Sequence, residues 1–342
     1  MIPHTRPRRS RLRLKGFTLV ELMVAMTIGL IVLGAIVYLF IGIRQTFRTT
    51  DSQSRMQENA RYALEMVARD VRMAGFIGCG NLEFIPVNVM ASPAPANGIS
   101  FATAVTGADS ATGSIGGIAL AGADTITITG ALDGVVSIAE EATDPLNANL
   151  KVYGNPYGYV QNDVLSVTDC RTMDVFRVTN SPSVELDTAV QITLTHSNGS
   201  NTGNRIGRYG LDAFIMRVGT YTYFIGLNPA TNRPALYRAN LSRGLEGAVQ
   251  TRELVDNVQD MQIEYGVHEA GETAPESYLS AGAIADWTRV SSVRINLLMV
   301  SADDAIVSEP QTYIFNGASV TADDRRLYQT YTATIAVRNR VP

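Results

Sequence analysis

A long apolar run near the N-terminus constrains this chain more than any other feature. Residues 17–43 contain one charged residue, Glu21. As a helix rising about 1.5 Å per residue they would extend about 40 Å, which exceeds the roughly 30 Å of a bilayer's hydrocarbon core. Residues 1–16 carry six basic side chains and no acid. The positive-inside rule therefore predicts a cytoplasmic N-terminus and an exported C-terminal region.

The residue that would mark a cleavage site precedes the apolar run. An ordinary signal peptide has a shorter apolar core and is cut after it. Here the small residue Gly16 comes first, so cleavage after Gly16 would leave the apolar helix on the mature protein. A signal anchor that is never cut is the alternative, and composition alone favours it.

The segment Gly16-Phe17-Thr18-Leu19-Val20-Glu21 closely resembles the class III leader of type IV prepilins and type II secretion pseudopilins. The resemblance implies that a prepilin peptidase cuts after Gly16 and methylates Phe17. It also implies that Glu21 pairs with the N-terminal amine of a neighbouring subunit. A charge at the centre of a membrane helix costs about 2.5–3.5 kcal/mol. Glu21 lies near the cytoplasmic edge, so a glutamate that snorkels to the interface is the alternative.

Helical periodicity continues through residues 44–76. Apolar residues recur at spacings of three and four, and charged residues take the opposite face, which predicts a helix docked on a sheet. The apolar face comprises Met56, Ala60, Ala63, Leu64, Val67, Ala68, Val71 and Ala74, and the charged face comprises Arg55, Glu58, Arg61, Glu65, Arg69, Asp70 and Arg72. Gly75, Gly78 and Gly80 predict the end of this helix.

The remaining residues, 77–342, predict a β-rich head. Residues 77–122 are rich in Pro, Gly, Ala, Asn and Ser and predict mostly loop, with a short strand at Ile99–Ala102. A short helix is expected at Tyr278–Trp287. Later strands are predicted at Thr125–Thr129, Val164–Val167, Val175–Val178, Val190–Leu194, Phe214–Val218, Tyr221–Ile225, Ala235–Arg238, Gln262–Val267, Val290–Val300, Thr312–Phe315 and Tyr331–Val337. One long helix followed by strands, without βαβ alternation, indicates an α+β fold with antiparallel sheets, and the head's length favours two of them.

Scattered segments of the head narrow the resemblance to minor pilins of the PilW type. They are Ala68–Cys79, Asp163–Cys170, Leu236–Arg238, Val258–Val267 and Val337–Arg340. The resemblance implies the pilin architecture: a leader at 1–16, a transmembrane half-helix at 17–43, an amphipathic half-helix at 44–76 and a head at 77–342.

Two cysteines, Cys79 and Cys170, follow the apolar run and would share an exported compartment. A disulfide is favoured there, and two buried free thiols are the alternative. It would close a loop of roughly 90 residues, worth about 4–5 kcal/mol in the chain-entropy model. No metal-ligand spacing links His4, His196 and His268, and the acidic pairs Asp303-Asp304 and Asp323-Asp324 favour solvated turns. No nucleophile, zinc or phosphate-loop motif is present, so we expect neither an enzyme nor a cofactor.

The net charge argues against nucleic-acid binding. Removing the six positive charges of residues 1–16 from a net charge of −4 leaves −10. Nucleic-acid binding is therefore not expected, although Arg205, Arg208 and Arg217 leave a local basic patch open.

We expect a minor pilin that primes type IV pilus assembly and sits at or near the fibre tip. The expected partners are other minor pilins, the major pilin, a large tip adhesin, the prepilin peptidase and the inner-membrane assembly platform. The expected location is the bacterial inner membrane, with the head in the periplasm, and then the surface pilus. A J-type pseudopilin of type II secretion and an adhesive or DNA-uptake module at the tip are the alternatives.

Overall fold

The computed structural model describes residues 18–78, 85–92, 103–131, 134–203, 205–241, 249–269, 272 and 274–340. The chain divides into two compact units, residues 1–51 and residues 52–342. The first unit is helical from Leu19 onward, and the second contains every described strand. This is the expected order of one long helix followed by a mostly β head.

Helix α1 runs from Leu19 to Arg72, 54 residues without interruption. At about 1.5 Å per residue it is about 80 Å long. It ends four residues earlier than the predicted boundary at residue 76. Gly75 and Gly78 follow it with positive φ angles of 72° and 86°, a backbone conformation that glycine adopts without a steric penalty.

Nineteen strands follow in the described part of the chain. The first ten are β1 (Val87–Val89), β2 (Val105–Ala108), β3 (Ser114–Ile115), β4 (Ile118–Ala119), β5 (Thr125–Ala131), β6 (Val136–Ser137), β7 (Asn149–Tyr153), β8 (Val164–Thr168), β9 (Met173–Arg177) and β10 (Gln191–Thr195). The others are β11 (Phe214–Leu227), β12 (Pro234–Asn240), β13 (Gln250–Asp256), β14 (Val258–Val267), β15 (Ser277–Leu279), β16 (Val290–Val300), β17 (Thr312–Phe315), β18 (Ala318–Thr321) and β19 (Tyr328–Ala336). Short 3₁₀ turns occupy Asn198–Ser200, Ala281–Ala283, Trp287–Arg289 and Arg338–Arg340.

The largest sheet has nine strands, with the main order β1-β9-β8-β11-β12-β13, and β2, β5 and β6 join it beside this path. A second sheet has the order β15-β14-β16-β19, and three two-stranded ribbons pair β7 with β10, β17 with β18, and β3 with β4. The pairing of β1 with β9 is parallel, which departs from the expected antiparallel arrangement. The other strand pairs described are antiparallel.

Strand β11 corrects the prediction of separate strands at Phe214–Val218 and Tyr221–Ile225. It is one strand of 14 residues. Its first part pairs with β6 and β8, and its later part pairs with β5 and β12. The two predicted strands left Gly219 and Thr220 between them, outside the sheet. Pairing with β5 keeps both residues in the sheet, because Gly219 lies opposite Gly130 and Thr220 opposite Thr129.

The short helix predicted at Tyr278–Trp287 is wrong. Tyr278 lies in β15, and the rest of the segment forms two 3₁₀ turns separated by irregular backbone. The Asp109 carboxylate accepts hydrogen bonds from the backbone N–H groups of Ala281 and Gly282, both at 2.8 Å. A distant side chain thus satisfies the donors that a local pattern assigns to a helix.

The segment 77–122 contains more structure than the predicted loop, since β1 to β4 lie within it. The strand expected at Ile99–Ala102 falls outside the described residues. Elsewhere the strand predictions at Val290–Val300 and Thr312–Phe315 coincide with β16 and β17.

The main hydrophobic core joins the second half of α1 to both large sheets. From the helix it takes residues such as Ala60, Ala63 and Val67, all 0% exposed, and from the sheets residues such as Ile126 and Ile295, also 0% exposed. Alanine at the helix face allows the helix backbone to approach the strands closely. A second core lies among β6 to β11 and includes Leu150, Phe176 and Leu194.

Candidate functional site

The N-terminal processing site itself lies outside the described residues, which begin at Thr18. Gly16 and Phe17, the predicted cleavage and methylation residues, therefore remain predictions. The first feature that the structure shows is the start of α1. The Thr18 carbonyl accepts the first helical hydrogen bond, from the N–H of Leu22 at 3.1 Å. Thr18 is thus the N-cap residue.

Glu21 stands three residues after this cap. Its backbone N–H donates to the Thr18 hydroxyl at 3.2 Å, which satisfies one of the unpaired donors at the helix start. The spacing Thr18-x-x-Glu21 is that of a capping box, and it could have been read from the sequence. A carboxylate in the first turn also opposes the positive end of the helix dipole. The cap fixes the helix start, so Glu21 is held in the first turn.

The first half of α1 exposes its apolar side chains on all sides. Leu19, Leu30 and Leu33 are 61–74% exposed. The most apolar 18-residue window has a mean hydropathy of 2.6, and none of it is buried. By length and composition this helix is able to cross a membrane, which fits the predicted transmembrane half at 17–43.

The second half of α1 is fixed to the head by a polar contact as well as by its apolar face. The Tyr223 hydroxyl of β11 donates a hydrogen bond to Asp70 Oδ2, and Arg238 Nη1 of β12 lies 3.4 Å from the same oxygen. The Arg238 guanidinium stacks over the Tyr221 ring at 4.4 Å. Burial raises the pKa of Tyr223 far above its usual value, and the nearby Asp70 charge raises it further.

This contact corrects the prediction for Asp70, which the helical pattern placed on the charged face directed away from the sheet. The side chain of Asp70 is only 19% exposed. It lies at the edge of the apolar stripe, where a carboxylate reaches the sheet. No local signal identified Tyr223 and Arg238 as its partners, because they follow it by 153 and 168 residues.

The residues after α1 join the sheet directly. The N–H of Gly75 donates to the Thr129 carbonyl at 2.9 Å, and the N–H of Ala131 donates to the Phe76 carbonyl at 2.8 Å. A Cβ atom at Gly130 would lie 3.0 Å from the Met73 carbonyl oxygen. Glycine at position 130 therefore permits the close approach of the helix end to β5.

Cys170 lies in the turn between β8 and β9. Its φ angle is 70°, and its N–H donates to the Thr168 hydroxyl at 3.1 Å. Cys170 is disulfide-bonded. Cys79, the other cysteine of the sequence, lies outside the described residues, so its pairing with Cys170 remains a proposal.

Arg217, one of the three arginines of the possible basic patch, forms an ion pair within the head. Arg217 Nη2 lies 2.8 Å from Asp163 Oδ2, and the Asp163 side chain is 2% exposed. Asp163 begins the Asp163–Cys170 segment, and this ion pair gives it a structural role in the head. In the described part of the chain, no group of three or more His, Cys, Asp and Glu side chains is placed to hold a metal ion.

Comparisons with known proteins address both ends of the chain. Residues 11–37 match the family model of the prokaryotic N-terminal methylation motif. Residues 222–339 match the family model described as type IV pilus-assembly protein W. The chain is a type IV pilin-family protein. The second match begins within β11 and continues through β19, so it covers the strands that bind the Asp70 region of this pilin.

A curated relative extends the similarity of the pilin to a named protein. Pilin-like protein PilA3 from Thermus thermophilus is 39% identical over 61 residues, which are 18% of this pilin and 26% of the relative. The pilin thus spans about a quarter of the length of the curated relative it matches. No solved structure matches it.

Proposed function

We propose that this pilin is a minor subunit that helps to prime assembly of a type IV pilus and sits at or near the fibre tip. One observation carries the proposal. Helix α1 begins with an exposed apolar half behind a methylation motif, and its second half is bound into a head whose later strands match the PilW family. The head thereby identifies the kind of subunit, and the exposed half supplies the segment available for assembly.

The proposed mechanism uses three residues at the start of the mature chain. Prepilin peptidase cuts after Gly16 and methylates Phe17, which leaves a positively charged amine next to the N-terminus of α1. Glu21, held in the first helical turn by the Thr18 cap, neutralises the amine of a neighbouring subunit. In a low-dielectric environment such a pair is worth far more than in water, so a subunit with an unpaired Glu21 is selected against.

The proposed partners follow from this mechanism. Other minor pilins and the major pilin would pack against the exposed half of α1, a large tip adhesin would bind the complex of heads, and the inner-membrane platform would extrude it. The basic residues before Gly16 support a cytoplasmic N-terminus and a periplasmic head. We also propose that Cys79 pairs with Cys170 in that oxidising compartment.

Deletion of the gene tests the proposal, with surface pili and type II secretion scored separately. We expect loss or strong reduction of pili with normal secretion, and recovery of pili on complementation. Normal piliation with failed secretion would instead favour the pseudopilin alternative. Normal piliation with normal secretion would favour the hypothesis of an adhesive or DNA-uptake module at the tip.

Complementation with Glu21→Ala tests the assembly residue. We expect this variant to accumulate in the membrane but to be absent from sheared pili. The matched control is Glu58→Ala, which removes an exposed glutamate from the second half of the same helix. Incorporation of Glu21→Ala at the level of the control would reject the pairing role.

A further inference from the structure

Each large sheet of the head has one long edge strand. It is β13 in the nine-stranded sheet and β19 in the four-stranded sheet. An edge strand presents unpaired backbone N–H and C=O groups that can pair with another chain, and proteins usually protect such edges with charges, proline or bulges. The two edges of this head differ in that protection, and the difference points to a binding surface.

Strand β13 is protected. Its seven residues include the charged side chains Arg252, Glu253 and Asp256. Its register with β12 shifts at Leu236/Tyr237, which marks a β-bulge or irregularity. Both features hinder addition of a further strand.

Strand β19 has neither device. Its nine residues, Tyr-Gln-Thr-Tyr-Thr-Ala-Thr-Ile-Ala, include no charged residue and no proline. Its pairing with β16 runs from Ser292↔Ala336 to Val300↔Tyr328 without a register shift. Three threonines, an isoleucine and two tyrosines give it high β-propensity.

The direction of the backbone groups of β19 can be read from its first residue. The side chain of Gln311 accepts from the Tyr328 N–H and donates to the Tyr328 carbonyl, both at 2.9 Å. Tyr328 therefore directs its backbone groups away from β16. Because this direction alternates along an antiparallel strand, Thr330, Thr332, Thr334 and Ala336 share it.

These four residues share the outer edge of β19. All four are exposed. Among the residues that the structure describes, no backbone partner pairs with their outward N–H and C=O groups. Gln311 closes the edge at Tyr328. The Thr330 hydroxyl donates to the Ile314 carbonyl of β17 at 3.4 Å, so the open part runs from Thr332 to Ala336, about 17 Å at about 3.3 Å per residue.

We propose that the outer edge of β19, from Thr332 to Ala336, binds an extended segment of a different protein by β-strand addition. The recognised chemistry is the backbone of an uncharged strand. Its side chains would alternate, polar beside the exposed threonines and apolar beside Tyr331 and Ala333, which are partly buried against the main core. This inference concerns the head alone and does not depend on the assembly role of Glu21.

Symmetry argues against a second copy of this pilin as the occupant. Two β19 edges paired antiparallel would be related by a two-fold axis perpendicular to the sheet. The second half of α1 packs on that sheet, so the axis would reverse its direction. The second halves of the two α1 helices would then run in opposite directions, whereas copies inserted into one membrane enter it in one direction.

The test is photo-crosslinking in cells that make the full chain. A benzoylphenylalanine at Thr332 serves as the probe, and the same residue at Arg252 on the protected edge is the control. We expect one discrete adduct from Thr332 and none from Arg252. Thr334→Pro removes an outward N–H and leaves the β16 ladder intact, and it should reduce the adduct about tenfold, the effect of one lost hydrogen bond.

Two further variants separate backbone recognition from side-chain recognition and from misfolding. Thr334→Val keeps the backbone donor and the side-chain shape, so the adduct should remain. Thr334→Lys adds a protecting charge without altering the ladder and should reduce the adduct even if the proline variant fails to fold. The proposal is overturned by absence of an adduct, by equal loss in Thr334→Val, by no loss in Thr334→Lys, or by an adduct that contains only this pilin.

Discussion

The two halves of α1 belong to one uninterrupted helix but differ in what surrounds them. Leu19 to Ile43 is apolar on every side and exposed throughout. Met56 to Val71 is apolar on one side only, and that side is buried, with Ala60, Ala63, Val67 and Val71 at 0% exposure. One helix therefore carries an apolar surface that the described residues leave exposed and an apolar stripe that the described residues bury.

This difference teaches where each half gains its free energy. The second half is stabilised within the chain, through burial against the sheets and through the Asp70 contact. The first half has no such partner among the described residues, and by length and composition it is able to cross a membrane, where lipid would surround it. At roughly 25 cal/mol per Å² of apolar surface buried, that external contribution is large.

Replacing one valine by aspartate in each half of α1 tests this comparison, and we expect the largest effect from the substitution in the second half. Val67→Asp places an unpaired carboxylate in the main core, and we expect it to lower the free energy of unfolding of the head by at least about 5 kcal/mol. Fluorescence of the single tryptophan, Trp287, which packs edge-on against Tyr265 at 4.8 Å, reports the unfolding of the head.

Val37→Asp is the counterpart in the exposed half. We expect the unfolding transition of the head to stay unchanged. Membrane insertion should weaken, because aspartate at the centre of a membrane helix costs about 2.5–3.5 kcal/mol. Equal destabilisation of the head by both substitutions would contradict the division of α1 into an external and an internal half.

Reduction of the protein, or Cys170→Ser, tests how much a disulfide contributes to the stability of the head. If Cys79 pairs with Cys170, the bond links the segment after α1 to the turn between β8 and β9, and its loss should cost about 4 kcal/mol in the chain-entropy model. The measurement is chemical denaturation of the mature chain, with Cys79→Ser as the matched variant. Unequal losses from the two single variants would show that the cysteines do not act as one bond.

Asp70→Asn should have a smaller effect on the same half. It removes the charge that accepts from Tyr223 and faces Arg238, at a cost of about 1–3 kcal/mol in unfolding free energy. Glu65→Gln, at an exposed position in the preceding turn, is the control and should change little. A loss no greater than that of the control would mean that the apolar stripe alone fixes the helix to the head.

The smallest effect concerns pH and again separates head from anchor. His196 is 0% exposed, and neither ring nitrogen has a hydrogen-bond partner among the described residues. Burial lowers its pKa, and the charge of Asp174 opposes that shift. Because the folded state disfavours the protonated ring, its contribution to stability is present above the unfolded pKa of about 6.5 and is lost as the pH falls below it.

We therefore expect the head to lose at most about 1.4 kcal/mol per pH unit through His196 as the pH falls from 7 to 5. His196→Phe, which keeps an aromatic ring beside Phe176, should remove this component. Asp124 and Asp260 have raised pKa values because of burial, and they remain in both proteins, so the difference isolates the histidine. Identical pH profiles would assign the acid sensitivity to other groups.

Patterns set by neighbouring residues could be predicted from the sequence. The helix of the apolar run from Leu19 to Ile43, the buried stripe from Met56 to Ala74 and the strand at Val290–Val300 each depend on neighbouring residues, and each matches the structure. The Thr18 cap is also local, and its spacing to Glu21 was available in the sequence. The predictions failed where distant groups compete with local ones, as when Asp109 takes the donors of the segment 278–287.

The sequence by itself determined that this chain is a helix-led, membrane-competent pilin, because a motif and an apolar run are properties of consecutive residues. Tertiary structure alone decided which strands meet. It joined two predicted strands into β11, brought Tyr223 and Arg238 to Asp70, paired Arg217 with buried Asp163, and left β19 as an edge without protection. These outcomes depend on contacts between residues that are distant in the sequence, and such contacts are fixed by packing of the whole head.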